Sequence, residues 1–149
     1  MNTLHIRRAS DRDAAAIEDL YQQLVSNPAL AVSPEHLAKL QASEHHVVLV
    51  AEQGDQVCGT ALLSLCEDIM FGTQPFAVVE NVIVNEAYRS QGIGAALFRE
   101  IEAHCKRANC SKIMLLSSAQ RSEAHQFFEQ LGFSGTSKRG FVKYRRQFG

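Results

Sequence analysis

The stretch Tyr88-Arg89-Ser90-Gln91-Gly92-Ile93-Gly94-Ala95 holds residue types whose spacing suits anion binding. In front of it runs Phe76-Ala77-Val78-Val79-Glu80-Asn81-Val82-Ile83-Val84, mostly apolar and long enough for one buried strand. Behind it Ile93, Leu97, Ile101 and Cys105 recur every fourth residue, with Ala96 and Ala108 beside them, as one helical stripe. Two glycines and an arginine therefore stand where a strand turns into a helix. Glycine has no Cβ to hold a ligand away from the backbone. The first amides of a helix lack partners within it, and the helix dipole favours negative charge there. The chemistry this suits best is capture of a pyrophosphate. A solvated turn with a surface arginine is the plainer alternative.

Glu80 is the second residue of interest, because it interrupts the apolar run. An unpaired carboxylate is costly to bury, so Glu80 should face water, a ligand or a cation such as Arg89 or His45. Simple alternation puts Glu80, Val82 and Val84 on one face of the strand and Asn81 and Ile83 on the other, unless a bulge intervenes.

The loop is not a nucleotide-triphosphate loop, since no Gly-Lys followed by Ser or Thr occurs near Gly92 or Gly94. Nor is it a dinucleotide fingerprint, whose third glycine would fall at Leu97. What stands is Arg89-x-x-Gly92-x-Gly94 directly after a strand, and this resembles the acetyl-CoA-binding motif of the GCN5-related N-acetyltransferase family. Val82-x-Val84 ahead of Arg89 resembles that family's strand and loop, with Glu86 where a proline is usual. Ala124-His125-Gln126-Phe127-Phe128-Glu129-Gln130-Leu131-Gly132-Phe133 is similar to its C-terminal helix and Gly-Phe ending. The matching segments cover about half of the chain.

The resemblance implies an α/β fold of the α+β type: a mixed, mostly antiparallel sheet with helices on both faces and central strands splayed to hold CoA. It implies acetyl-CoA as donor, with Arg89, Ser90 and Gln91 wrapping the phosphates and the amides of Gly92, Ile93, Gly94 and Ala95 completing the cradle. The pantetheine arm would lie against the backbone of Val82, Ile83 and Val84. Glu80 would be the general base, acting through water on an amine that is otherwise protonated at neutral pH. No metal is implied. A tyrosine that serves as general acid in the family aligns with Phe128, which has no proton to give, and Arg121 replaces an asparagine. Tyr144 and His125 are the substitutes to consider, though His125 also reads as a packing or surface residue. The expected reaction is direct acetyl transfer to the primary amine of a small molecule. The alternatives are a CoA-binding sensor or interaction domain without turnover, and a protein acetyltransferase acting on lysine or N-terminal amines.

Composition fits that class. The 149 residues, 46% hydrophobic and 21% charged, are expected to form one domain, residues 1–149. A formal net charge of −1 argues against general nucleic-acid or membrane-surface binding. No apolar run approaches the ~20 residues needed to span a bilayer. No secretory apolar region precedes the charges at Arg7 and Arg8, so the expected location is cytoplasmic. Cys58, Cys66, Cys105 and Cys110 lack zinc or redox spacing; Cys105 falls on the apolar helical stripe, and Cys58 and Cys66 read as small core residues. His45-His46 has no carboxylate pattern to make it a metal site. The basic run Lys138, Arg139, Lys143, Arg145 and Arg146 reads as a solvated strand edge or a contact for phosphate. Homodimerisation is left open.

The elements follow in order. Leu4–Arg7 reads as a strand, then a helix carries Ala14, Ile17, Leu20, Tyr21, Leu24 and Val25, capped by Ser10 or Asp11 and stopped at Asn27-Pro28. Ser33-Pro34 opens a second helix with Leu37, Leu40 and Ala38 inward. Val47–Ala51 and Val57–Leu65 form a hairpin about Gly54-Asp55, with Gly59 marking a bulge or close approach. After the central strand and helix, Lys112–Ser117 should pair in parallel with that strand, because a helix crosses over between them. A helix over Ser122–Gln130, capped by Ser122 and stopped by Gly132, precedes terminal strands from Phe133 and at Phe141–Tyr144.

Overall fold

A computed structural model describes residues 3–149 of the chain. They form two compact units, one running to Leu115 and one from Leu116 to Gly149. The first holds strands β1 (Leu4–Arg8), β2 (His46–Gln53), β3 (Gln56–Cys66), β4 (Phe76–Val84) and β5 (Ile113–Leu115), with helices α1 (Ala14–Leu24), α2 (Pro34–Gln41) and α3 (Ile93–Arg107). The sheet order is β1-β2-β3-β4-β5. All pairs are antiparallel except β4 with β5, which run parallel as the crossover through α3 requires. The fold is thus mixed α/β, with helices on both faces of the sheet.

Local sequence explains the elements. Ser33 Oγ accepts the His36 amide at 3.1 Å and Pro34 occupies the first turn, so α2 starts where its cap dictates. Leu37 is buried as expected, whereas Ala38 points to solvent. Gly54, at φ 63, turns the β2–β3 hairpin. α1 and α2 cover one face, where Ala14, Ile17 and Leu37 pack with Val48 and Val50, flanked by Tyr21, Leu40 and Leu62. α3 covers the other, burying Ile93, Ala96, Leu97, Phe98, Ile101 and Cys105. Gly59 permits that approach: a Cβ there would stand 3.3 Å from Ile93 Cγ2 and 3.4 Å from the Ile83 carbonyl oxygen.

Arg7 anchors β1 to the start of α1. Its guanidinium donates to Asp13 at 2.8 and 2.9 Å and to Glu52 at 3.1 Å. The hydrogen bonds from Arg7 hold the Asp13 carboxyl below the usual range, outweighing the opposing effect of burial. A depressed carboxyl contributes stability that is present above its unfolded pKa, near 3.8, and lost as the pH falls through the lower folded value. Asp13→Ala leaves Arg7 largely buried beside a single weaker partner, and should cost roughly 3 kcal/mol at neutral pH. The deficit relative to the parent should shrink in acid. Calorimetric unfolding from pH 7 to 2 measures both, and a parent-like Tm at pH 7 would contradict the assignment.

The second unit contains α4 (Ser122–Gln130). Ser122 is its first helical residue, not its cap. Arg121 holds that position without a side-chain bond, because its backbone leaves the helix there. Gly132, at φ 96, stops the helix as read from sequence. The expected terminal strands do not form: residues 133–144 contain no strand, and Phe141 is 87% exposed. Apolar alternation alone does not make a strand, which needs a neighbouring edge to bond its backbone. The segment ends in a single turn of tight helix over Arg145–Gln147.

Candidate functional site

The loop between β4 and α3 is held from both ends. Asn85 accepts the Ala87 amide at 3.0 Å, closing a tight turn over Glu86–Tyr88, and Gln23 of α1 accepts the Glu86 amide at 3.0 Å. Arg89 Nε donates to the Val84 carbonyl at 3.3 Å. Ser90 (φ 64) and Gly92 (φ 79) both take the left-handed conformation. It is uncommon for serine and ordinary for glycine. The first bond within α3 joins the Ala96 amide to the Gly92 carbonyl at 3.0 Å. The amides of Ile93, Gly94 and Ala95 therefore have no partner inside the helix. A Cβ at Gly92 would meet nothing within 4 Å, so the loop lies open in that direction. Arg89, Ser90 and Gln91 are exposed around it. This donor-rich opening at the positive end of α3 fits a pyrophosphate.

β4 explains why the loop can serve a longer ligand. Its pairing with β5 ends at Val79 opposite Leu115, and residues 80–84 run on with that edge unpaired by β5. Val82, Ile83 and Val84, the segment expected to bind through its backbone, lie in this free stretch. On the other edge, Leu62 faces Glu80 and Thr60 faces Ile83, so β4 has one more residue than β3 between these pairs. This is a β-bulge, and Asn81 within it has φ 57.

The bulge corrects the simple alternation. Residues opposite one another in a ladder share a face. Glu80 therefore sides with Leu62, Thr60 and Ile83, toward α1 and α2, while Val84, opposite Gly59, sides with α3. The open loop starts a helix on one face of the sheet, the glutamate projects from the other, and the free edge of β4 joins them. Glu80 is exposed, and among the described residues it forms no ion pair with Arg89, His45 or any other cation. The salt-bridged alternative therefore falls.

Asn81 is a functional candidate that the sequence did not single out. The signal was present: two consecutive polar residues, Glu80 and Asn81, break a strand's alternation, and Asn is among the few residues that tolerate left-handed backbone.

In the second unit, Phe128 packs in an aromatic cluster, 5.5 Å from the Phe127 ring and 6.2 Å from Phe133. His125 Nε2 donates to the Ser118 carbonyl at 2.8 Å, which favours its packing role. Tyr144 is 57% exposed beside Arg146, whose guanidinium stacks 5.1 Å from the ring.

Cys58 and Cys105, both buried, suit packing rather than nucleophilic catalysis. Burial pushes Cys58 up, and burial together with Cys110 pushes Cys105 up to about 12. Such groups stay protonated near neutral pH. A cavity of about 400 Å³ lies between α1 and the β2–β3 hairpin, bordered by Arg7, Asp13, Asp19, Glu52 and Asp55. It includes neither Glu80 nor the Arg89–Ala95 loop.

A strand with a bulge and a stretch unpaired by β5 thus leads, through a loop with left-handed residues, into a helix whose first amides lack partners within it. A model of the acetyltransferase (GNAT) family matches residues 14–133, across both compact units, and the chain belongs to that family. It is an N-acetyltransferase, and acetyl-CoA is the donor its family uses. A glucosamine 6-phosphate N-acetyltransferase of Trypanosoma brucei brucei is 26% identical over 133 residues, covering 87% of this chain and 88% of that protein. Among solved structures, a putative acetyltransferase from Agrobacterium tumefaciens str. C58 superposes with a TM-score of 0.86 at 30% identity, covering 95% of this chain and 99% of that one. The glucosamine-6-phosphate N-acetyltransferase of Arabidopsis thaliana shares the fold at TM-score 0.81 and 22% identity, with 96% and 99% covered.

Proposed function

We propose that this chain, working as one domain, moves the acetyl group of acetyl-CoA directly to the primary amine of a small molecule, with Glu80 as general base. The observation that carries the reading is the free stretch of β4 at residues 80–84, which links the α3 cradle on one face to an unpaired glutamate on the other. Arg89, Ser90 and Gln91 would hold the phosphates with the amides of Gly92 to Ala95, and the backbone of Val82, Ile83 and Val84 would align the arm. The donor supplies a thioester carbonyl as electrophile. Glu80, through water, takes the proton that the attacking amine must lose. The new N–C bond forms as the C–S bond breaks. The departing thiolate needs little protonation near neutral pH if its pKa is like that of cysteine, ~8.5. That makes Phe128 tolerable where a tyrosine would be expected. A cytosolic location belongs to the same reading and rests on the sequence alone.

The test is a panel of amines incubated with acetyl-CoA, read by thiol release and by the mass of the product. Amino-sugar phosphates and aminoglycosides should be included, since structural neighbours carry those names, together with lysine and N-terminal peptides. Turnover of a small amine well above that of any peptide is the expected result. Tight donor binding with no acceptor acetylated would favour the sensor reading, which the phenylalanine at position 128 supports.

Phe128→Tyr refines the choice. It should leave acetyl-CoA affinity unchanged and raise turnover by less than about tenfold, below the usual ~10²–10⁴ of a general acid. Activity that appears only in this variant would mark the parent as a sensor.

A further inference from the structure

Glu80 lies on a sheet face that is closed in one direction and bare in the other. The ladders put Val48 and Leu62 in its own row across the strands, and Val50, Thr60 and Ile83 in the row toward the loop. These rows are closed. Val48 and Val50 pack with residues of α1 and α2, and Thr60 and Ile83 are buried as well. On the far side of Glu80 the next row runs His46, Ser64, Val78 and Met114, and the one beyond it holds Cys66 and Phe76. No residue of either row is buried, and Met114 is 39% exposed. The alternate residues of the same strands, Val47, Leu63, Ala77 and Val79, are buried on the opposite face. The sheet is thus covered on one side and open on the other at the same place. The β3–β4 connection leaves this open end with Ile69, Met70 and Phe71 exposed, held in a turn in which Asp68 Oδ1 accepts the amides of Ile69 at 2.7 Å and Met70 at 3.2 Å. Large apolar side chains exposed together mark a binding surface.

We infer that this open end of the face seats the acetyl acceptor, and that the acceptor is a primary amine with an apolar body, an alkylamine or arylalkylamine. The inference rests on the transferase reading above, which brings the thioester to Glu80. An acceptor must meet Glu80 on the glutamate's own face. The rows beneath α1 and α2 are filled, so it approaches across Val78 and Met114. Glu80, exposed and without an ion pair among the described residues, complements the charge of an ammonium head. Residues along a strand rise about 3.3 Å each, so Val78 stands about 7 Å from Glu80 and Phe76 about 13 Å. A phenylethyl group covers the first distance and a longer alkyl chain approaches the second. The row of Val78 carries no lysine or arginine, so a phosphate on the acceptor would lose its water there without a partner. The cation at the margin, Lys112, is held 5.5 Å over the Phe76 ring.

The test sets ethylamine, hexylamine and 2-phenylethylamine against glucosamine 6-phosphate at saturating acetyl-CoA. Each methylene that reaches the face should raise kcat/KM about threefold, and 2-phenylethylamine should exceed ethylamine by roughly 30-fold. Val78→Thr keeps the branched shape and Met114→Gln keeps the length. Each should cut that preference by roughly five- to tenfold, mainly through KM for the amine, with the Kd of acetyl-CoA and Tm close to the parent's. Turnover of small amines with no gain from an apolar body would overturn this inference and leave the transferase reading standing. A preference for glucosamine 6-phosphate that Lys112→Ala removes would overturn it too. A second readout needs no turnover: the methyl signals of Val78 and Met114 should shift saturably with 2-phenylethylamine and stay still with glucosamine 6-phosphate. Methyl signals that do not move for the amine sink the assignment even if amines are acetylated. Saturable shifts with no amine acetylated uphold the seat and remove the transfer reading instead. Concentration-dependent dimerisation that Met114→Gln abolishes would give the face to a second copy of the chain and overturn the acceptor seat.

Discussion

Glu80→Gln should lower turnover by about 10²–10⁴-fold at neutral pH while leaving acetyl-CoA affinity nearly intact. The carboxamide keeps the size of the side chain and loses its ability to take a proton. Because Glu80 is exposed and forms no ion pair among the described residues, the change breaks no buried contact and the fold should be unaffected. The deficit should also depend on pH. An amine that has already lost its proton to solvent no longer needs the base, so the variant should approach the parent as the pH nears the pKa of the amine. Steady-state rates from pH 6 to 10 decide the matter. A parent-like rate at neutral pH would return Glu80 to the surface, and a deficit of constant size across the range would assign it to substrate binding.

The second large effect belongs to Gly92. Valine there is β-branched and must adopt φ near 79. Backbone strain of this kind costs roughly 1–3 kcal/mol. Its side chain would project into the open space beside the unpaired amides of Ile93 to Ala95, where nothing lies within 4 Å. Gly92→Val should therefore fold and yet show no measurable heat of binding with acetyl-CoA. Gly92→Asn, which tolerates left-handed backbone better, should weaken binding less. Calorimetry that finds the valine variant binding as the parent does would remove the phosphates from this loop.

The strand, loop and helix that carry these residues were legible because the hydrophobic period changes from two to four across Arg89–Ala95, and physics allows few structures at such a change. The face that Glu80 takes was not legible. Alternation predicts it only in an unbroken ladder, and the extra residue opposite Ala61 reverses the relation between Glu80 and Val84. The tail misled in the opposite sense. Phe141-Val142-Lys143-Tyr144 has the composition of a strand, but a strand is a property of two segments, and sequence spacing does not reveal a missing neighbour. The boundary at Leu115 and Leu116 falls within an apolar run, Ile113 to Leu116, without the glycine or proline that usually marks a break.

In the proposed complex acetyl-CoA lies from the α3 cradle along the free stretch of β4 to Glu80. The most direct measurement is a titration of acetyl-CoA into isotope-labelled protein while backbone amide signals are followed residue by residue. The largest shifts should fall on Ser90 to Ala95 and on Glu80 to Val84, with those of β1 and of the β2–β3 turn at Gly54-Asp55 nearly still. Saturable shifts centred on the cavity beside Arg7 and Glu52, with Gly92 to Ala95 unmoved, would contradict the account.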